Sequence, residues 1–160
     1  MKIAVLERNS VGTDIDVTCF EDFGEVTYYR NTVAADTAEK VKDVDIIIAN
    51  KAPMNEETLK DAPNVKLICE FATGFDNIDL EYCKKRRIKV ANVKDYSTAA
   101  VAQHTFALAL YLLEHLPHYD TYVKDGSYGA QDRFSNFDLP FTELAGKTWG
   151  IIGMLSLIHI

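Results

Sequence analysis

Short apolar runs rich in β-branched residues alternate with helix-like segments, which predicts an α/β fold on a flavodoxin-like parallel five-stranded sheet with helices on both faces. Two observations carry this expectation. The apolar runs at residues 2–6, 25–29, 45–49, 66–70 and 88–91 have strand length. The segments between them at 37–42, 56–61 and 80–86 are flanked by Asp, Asn, Pro or Gly, the residues that start and stop helices. In open parallel sheets ligands bind beyond the carboxyl ends of the strands, so residues 7–9, 50–53, 71–76 and 92–98 are the candidate ligand segments.

From residue 98 to 116 the pattern changes to one long helix, apolar on nearly every side and broken at Pro117. A helix of that kind is normally enclosed by other elements. Residues 125–140 carry Gly, Ser, Asn and Pro with little periodicity and are expected to form an irregular arm. The segment 147–153, Lys-Thr-Trp-Gly-Ile-Ile-Gly, is expected to open a new buried strand ending in glycine.

Composition narrows the function classes. With 160 residues, 48% of them hydrophobic, the chain can bury one substantial core plus an appendage. Its net charge of −7 opposes the counterion release on which nucleic-acid affinity depends. The largest basic cluster, Lys84, Lys85, Arg86 and Arg87, ends a predicted helix, where cations complement the dipole, and is expected to be solvated. Three cysteines, Cys19, Cys69 and Cys83, form no C-x-x-C pair and fit a reducing, cytoplasmic setting without disulfides or zinc. Cys69, inside an apolar run, is expected to be a small core residue and not a nucleophile. The first apolar run is too short for a signal peptide, and the longest, residues 106–113, is far short of a membrane span.

The segment after the fourth strand, Phe71-Ala72-Thr73-Gly74-Phe75-Asp76, suggests an anion site on local grounds. Glycine tolerates positive φ, so the chain can turn sharply there and aim successive backbone N–H groups outward. A plain strand-to-helix turn capped by Asn77 or Asp79 is the competing reading. Lys51, just past the third strand, could present an ammonium to the same anion or could simply be solvated. Thr98 and Ser97 stand where the long helix needs an N-cap. His104, within an apolar helix, is expected to be a core residue, and His115, His118 and His159 have no metal-ligand spacing.

Four segments in order, 71–79, 90–93, 96–104 and 144–153, resemble the D-isomer-specific 2-hydroxyacid dehydrogenases, and the likeness runs over nearly the whole chain to Met154. The resemblance implies NAD as the cofactor and a small 2-oxo or 2-hydroxy acid as the substrate, hydroxypyruvate or glycerate among them. It assigns the substrate carboxylate to the amides of Ala72, Thr73 and Gly74, and places Thr98 near the nicotinamide. It also implies a homodimer formed through residues 98–150.

Residues 1–97 would then be the substrate-binding lobe, and 98–154 the linking helix, arm and first strand of an incomplete Rossmann domain. Gly153 would open the family's G-x-G-x-x-G, yet the next two glycine positions hold Leu155 and Ile158, so only a vestige of the phosphate loop is expected. Residues 155–160 read as a non-native tail of a truncated chain. The family's active-site arginine, its acidic partner and its histidine have no counterpart among these residues. The chain is therefore expected to be inactive alone and to bind no NAD, and a stand-alone small-carboxylate-binding module is the alternative.

Overall fold

The computed structural model describes residues 1–153 and divides the chain into two units, Met1–Tyr96 and Ser97–Ile160. In the first unit five strands pair in parallel: β1 (Lys2–Val5), β2 (Glu25–Tyr28), β3 (Ile46–Ala49), β4 (Leu67–Glu70) and β5 (Lys89–Ala91), in the order β2-β1-β3-β4-β5. Each lies within one or two residues of an expected run. One continuous row crosses the sheet through Tyr28, Val5, Ile48, Cys69 and Ala91, so the strands end at nearly the same level.

Period-two alternation sorts the strand residues onto two faces. Ala4, Leu6, Ile47, Ala49 and Ile68 face the main core, where they meet Val41, Leu59 and Cys83 from three helices, α1 (Ala34–Val41), α2 (Glu56–Leu59) and α3 (Leu80–Arg86). Ile3, Val5 and Ile48 face the other way, against Phe20 of a 3₁₀ helix at Thr18–Phe23. The expectation of helices on both faces is thus met unequally, with α-helices on one face and a 3₁₀ turn on the other. Strand order explains the difference. The β1 to β2 connection runs opposite in direction to the later three, so a uniform right-handed crossover puts it on the opposite face.

Helix boundaries follow local chemistry. Asn55 and Thr58 form a reciprocal capping box on α2, with Thr58 N donating to Asn55 Oδ1 at 3.2 Å and Asn55 N donating to Thr58 Oγ1 at 3.0 Å. Asp79 caps α3 by accepting from Tyr82 N at 2.9 Å, which decides between the two cap candidates. The basic cluster at the end of α3 is not wholly solvated: the Arg86 guanidinium donates to Leu59 O at 2.9 Å and Ala62 O at 3.0 Å, tying α3 to the end of α2. Gly24 has φ +154, and a Cβ there would stand 2.0 Å from the Met1 carbonyl oxygen, so β2 can enter beside β1 only through glycine.

The second unit holds α4 (Thr98–Leu113), α5 (Leu116–Lys124) and the one-turn α6 (Ser127–Ala130). The helix expected over 98–116 ends at Leu113, and a second helix, unexpected from the sequence, starts at Leu116. His115 adopts a left-handed conformation with φ 51, and Pro117 sits in the first turn of α5, where its missing N–H costs nothing, so it starts a helix as well as ending one. The arm is also less irregular than the sequence suggests, since α6 lies within it.

Three further expectations fail in this unit. Among the described residues of α4 only Ala102 is buried, while Leu108 is 51% and Leu112 70% exposed, so the helix is not enclosed. His104 is exposed and is no core histidine. Residues 147–153 form no strand, because no described strand of this unit lies beside them to pair with. Leu155, Ile158 and the tail lie outside the described residues.

Among the described residues no helix is long and apolar enough to cross a membrane. Ile68 is fully buried in the main core, so Ile68→Ala should cost about 2–5 kcal/mol in urea unfolding. Val33→Ala, at a position 61% exposed, should stay within about 0.5 kcal/mol.

Candidate functional site

Where β3 and β4 end, their backbones run out of sheet partners at the same level. Ala49 pairs with Glu70, and Phe71 N donates to Ala49 O at 2.7 Å, so Lys51 and Ala72 each follow two residues beyond matched positions on adjacent strands. Adjacent strands lie about 4.8 Å apart, which brings the loop bearing Lys51 and the loop 71–76 together.

The second loop is tethered through its carbonyls. Val93 N donates to Ala72 O at 3.0 Å, and Asn92 Nδ2 donates to Thr73 O at 2.8 Å. The Thr73 hydroxyl donates to Val93 O at 2.8 Å. Among the described residues nothing accepts from the amides of Ala72, Thr73 or Gly74, and Thr73 and Gly74 are exposed. Three consecutive N–H groups, in a loop whose Ala72 and Thr73 carbonyls are engaged elsewhere, are suited to an anion.

The positive φ expected at Gly74 is absent, and a Cβ on it would meet only Asp76 Oδ2 at 3.9 Å, an ordinary contact. The turn itself therefore does not demand glycine, and the tethers at Asn92 and Val93 shape the loop instead.

The loop after β3 is held as firmly. The Glu7 carboxylate accepts from Asn50 N at 2.6 Å and from Lys51 N at 2.9 and 3.1 Å. Met54 N donates to Asn77 O and Asp79 N donates to Met54 O, both at 2.8 Å, and Asn77 Nδ2 donates to Ala52 O at 3.0 Å. These bonds join the two loops. The Lys51 side chain is exposed, and among the described residues its ammonium takes part in no ion pair.

Sequence reasoning missed a buried carboxyl at the base of the site. Glu70 is 1% exposed; its Oε2 accepts from Asn77 Nδ2 at 3.3 Å, and its Oε1 has no partner among the described residues. Burial pushes its pKa above the ordinary carboxylate value, the Glu7 charge adds to that, and Asn77 and Lys51 oppose it. The signal was present as an acidic residue closing the apolar run Leu67-Ile68-Cys69. Burial also raises the Cys69 and Cys83 thiols, which removes them as nucleophiles at neutral pH.

Thr98 and Gly153 belong to the second unit. Thr98 begins α4; the preceding residue, Ser97, occupies the N-cap position without a side-chain capping bond, so that capping expectation is not met. Gly153 has φ +116 and open space around its Cβ position. Among the described residues of this unit no strand lies before Gly153. Among the described residues no group of three or more His, Cys, Asp or Glu could hold a metal.

A profile of the D-isomer specific 2-hydroxyacid dehydrogenase catalytic domain matches residues 3–148. The chain belongs to that family. It is 35% identical over 157 residues to a hydroxypyruvate reductase of Blautia hydrogenotrophica, covering 96% of this chain and 49% of that protein. A glycerate dehydrogenase of Methylorubrum extorquens is 33% identical over 153 residues, with 95% and 48% covered. Among solved structures, a D-lactate dehydrogenase from Aquifex aeolicus complexed with NAD and lactic acid superposes with a TM-score of 0.68 at 30% identity, covering 90% of this chain and 41% of that one. The chain thus spans about half the length of the relatives it matches.

The raised pKa of Glu70 makes stability depend on pH. The native state holds this proton more tightly than the unfolded chain, so the contribution is fully present below the ordinary value of 4.5 and is lost as pH rises through the folded value. Glu70→Gln cannot ionise and should therefore gain stability over the unsubstituted chain as pH rises above the ordinary value of 4.5, read as a growing difference in urea midpoint. A difference independent of pH would show that Glu70 ionises as freely in the fold as outside it.

Proposed function

We propose that residues 1–97 form the substrate-binding lobe of an NAD-dependent D-2-hydroxyacid dehydrogenase, and that the amides of Ala72, Thr73 and Gly74, with Lys51, bind the carboxylate of a small 2-oxo or 2-hydroxy acid. The observation that carries this is the loop 72–74, in which the Ala72 and Thr73 carbonyls are engaged on the β5 side while the three amides have no described acceptor. The hydroxypyruvate reductase and glycerate dehydrogenase names among the relatives support hydroxypyruvate and glycerate as the substrate class.

In the whole protein, reduction would convert a 2-oxo acid, NADH and a proton into a 2-hydroxy acid and NAD. The cofactor supplies the hydride. The lobe described here supplies recognition, and binding the carboxylate fixes how the neighbouring carbonyl carbon is presented. Thr98, at the start of α4, is assigned to the nicotinamide side, and Gly153 to a vestige of the phosphate loop. The 160 residues by themselves have no assigned proton donor or carbonyl-polarising arginine and act as a binding lobe in a cytoplasmic setting.

The exposed apolar side chains of α4 support a homodimer through residues 98–150. Light scattering over a dilution series should show dimers at about 100 μM, and Leu108→Glu with Leu112→Glu should return monomers. A monomer at that concentration before substitution would remove the dimer from the account.

Binding is tested by titrating glycerate or hydroxypyruvate into the ¹⁵N-labelled chain. A few hydrogen bonds to a charged group, at about 1.5–3 kcal/mol each, set against the entropy of association, give millimolar affinity at best. Amide shifts should centre on residues 72–76; shifts confined to other segments would contradict the assignment. Over the same samples NADH oxidation should stay at the background rate.

A further inference from the structure

We propose that Glu7 is a positioning residue for the substrate carboxylate: by accepting both backbone amides at the end of β3 it fixes the loop from which the Lys51 ammonium reaches the bound anion. This rests on the carboxylate site proposed above and concerns a residue outside it.

Glu7 follows β1, the strand next to β3, and is only 7% exposed. A carboxylate withdrawn from water needs compensation. Here it comes from two successive amides, Asn50 N at 2.6 Å and Lys51 N at 2.9 and 3.1 Å, both of which lie beyond the last residue of β3 and so lack a strand partner. The Glu7 backbone is itself fixed, since Ser10 Oγ donates to Glu7 O at 2.7 Å and the next residue, Arg8, donates its amide to Tyr29 O at 2.9 Å.

Glu7 is held by amides, and among the described residues the Lys51 ammonium makes no ion pair, so it stays available to an anion. The loop is then held at both ends, by Glu7 at residues 50 and 51 and by Asn77 at Ala52 and Met54. A four-bond lysine stem has many rotamers, and a fixed backbone origin reduces what binding must immobilise.

The test measures glycerate affinity from amide shifts of the full chain in four forms: unsubstituted, Glu7→Gln, Lys51→Met and the double variant. Glu7→Gln keeps one acceptor oxygen but neither the charge nor both bonds, and should weaken binding by about tenfold. In the Lys51→Met background the same change should alter affinity by less than about twofold, because the lysine through which Glu7 acts is gone. A purely structural role for Glu7 would lower stability equally in both backgrounds without this pattern in affinity.

Equal affinity of Glu7→Gln and the unsubstituted chain overturns the proposal, and so does a Glu7 effect that persists undiminished without Lys51. If Glu7→Gln does not fold, Glu7→Asp retains the charge but is one methylene too short to span both amides, and unsubstituted affinity in that variant likewise overturns the proposal. An unsubstituted chain with no response at residues 72–76 removes the carboxylate site itself, a result distinct from either of these.

Discussion

The parallel pairing of β1, β3 and β4, all ending at one level, is the constraint from which the site follows. Parallel ladders satisfy backbone groups inside the sheet and leave those just past its carboxyl edge to find other partners. Three solutions stand side by side at this edge. Glu7 takes the amides of Asn50 and Lys51; Asn92 and Val93 take the carbonyls of Thr73 and Ala72; the amides of residues 72–74 are left outward. The same register that closes the core therefore produces an unsatisfied, aligned set of donors, and binding an anion there completes the hydrogen bonding that the strands leave unfinished.

Much of this was legible in the sequence because it rests on period and punctuation. The five strands and α3 were read nearly to the residue: strand-length apolar runs fix the former, and an acidic cap with a basic last turn fixes the latter. Lys51 and Ala72–Gly74 could be placed at the sheet edge from strand ends alone. The reason for Gly74 could not. Loop conformation depends on tethers from Asn92 and Val93, about twenty positions away, and no local rule contains them. Glu7 fell within a candidate ligand segment without a role, and Glu70 was missed, for a related reason, since burial of a carboxylate at a strand end depends on which neighbours the topology supplies.

The second unit shows where periodicity alone misleads. An apolar helix implies cover, yet α4 exposes Phe106, Leu108 and Leu112, and the apolar run at 147–153 forms no strand. Both patterns describe what the residues favour when partners are present. A strand without a neighbour has no ladder, and an apolar helix without cover retains a large exposed surface, which is the physical basis for assigning it an interface.

The central claim is that the amides of Ala72, Thr73 and Gly74, beside Lys51, hold a carboxylate. The most direct measurement is a crystal structure of the chain grown with glycerate at tens of millimolar, above the millimolar affinity such a site supports. The account predicts the ligand carboxylate within hydrogen-bond distance, about 2.7–3.2 Å, of at least two of those amides, with the Lys51 ammonium on the same group. Glycerate bound elsewhere, with those three amides facing only water, would contradict it.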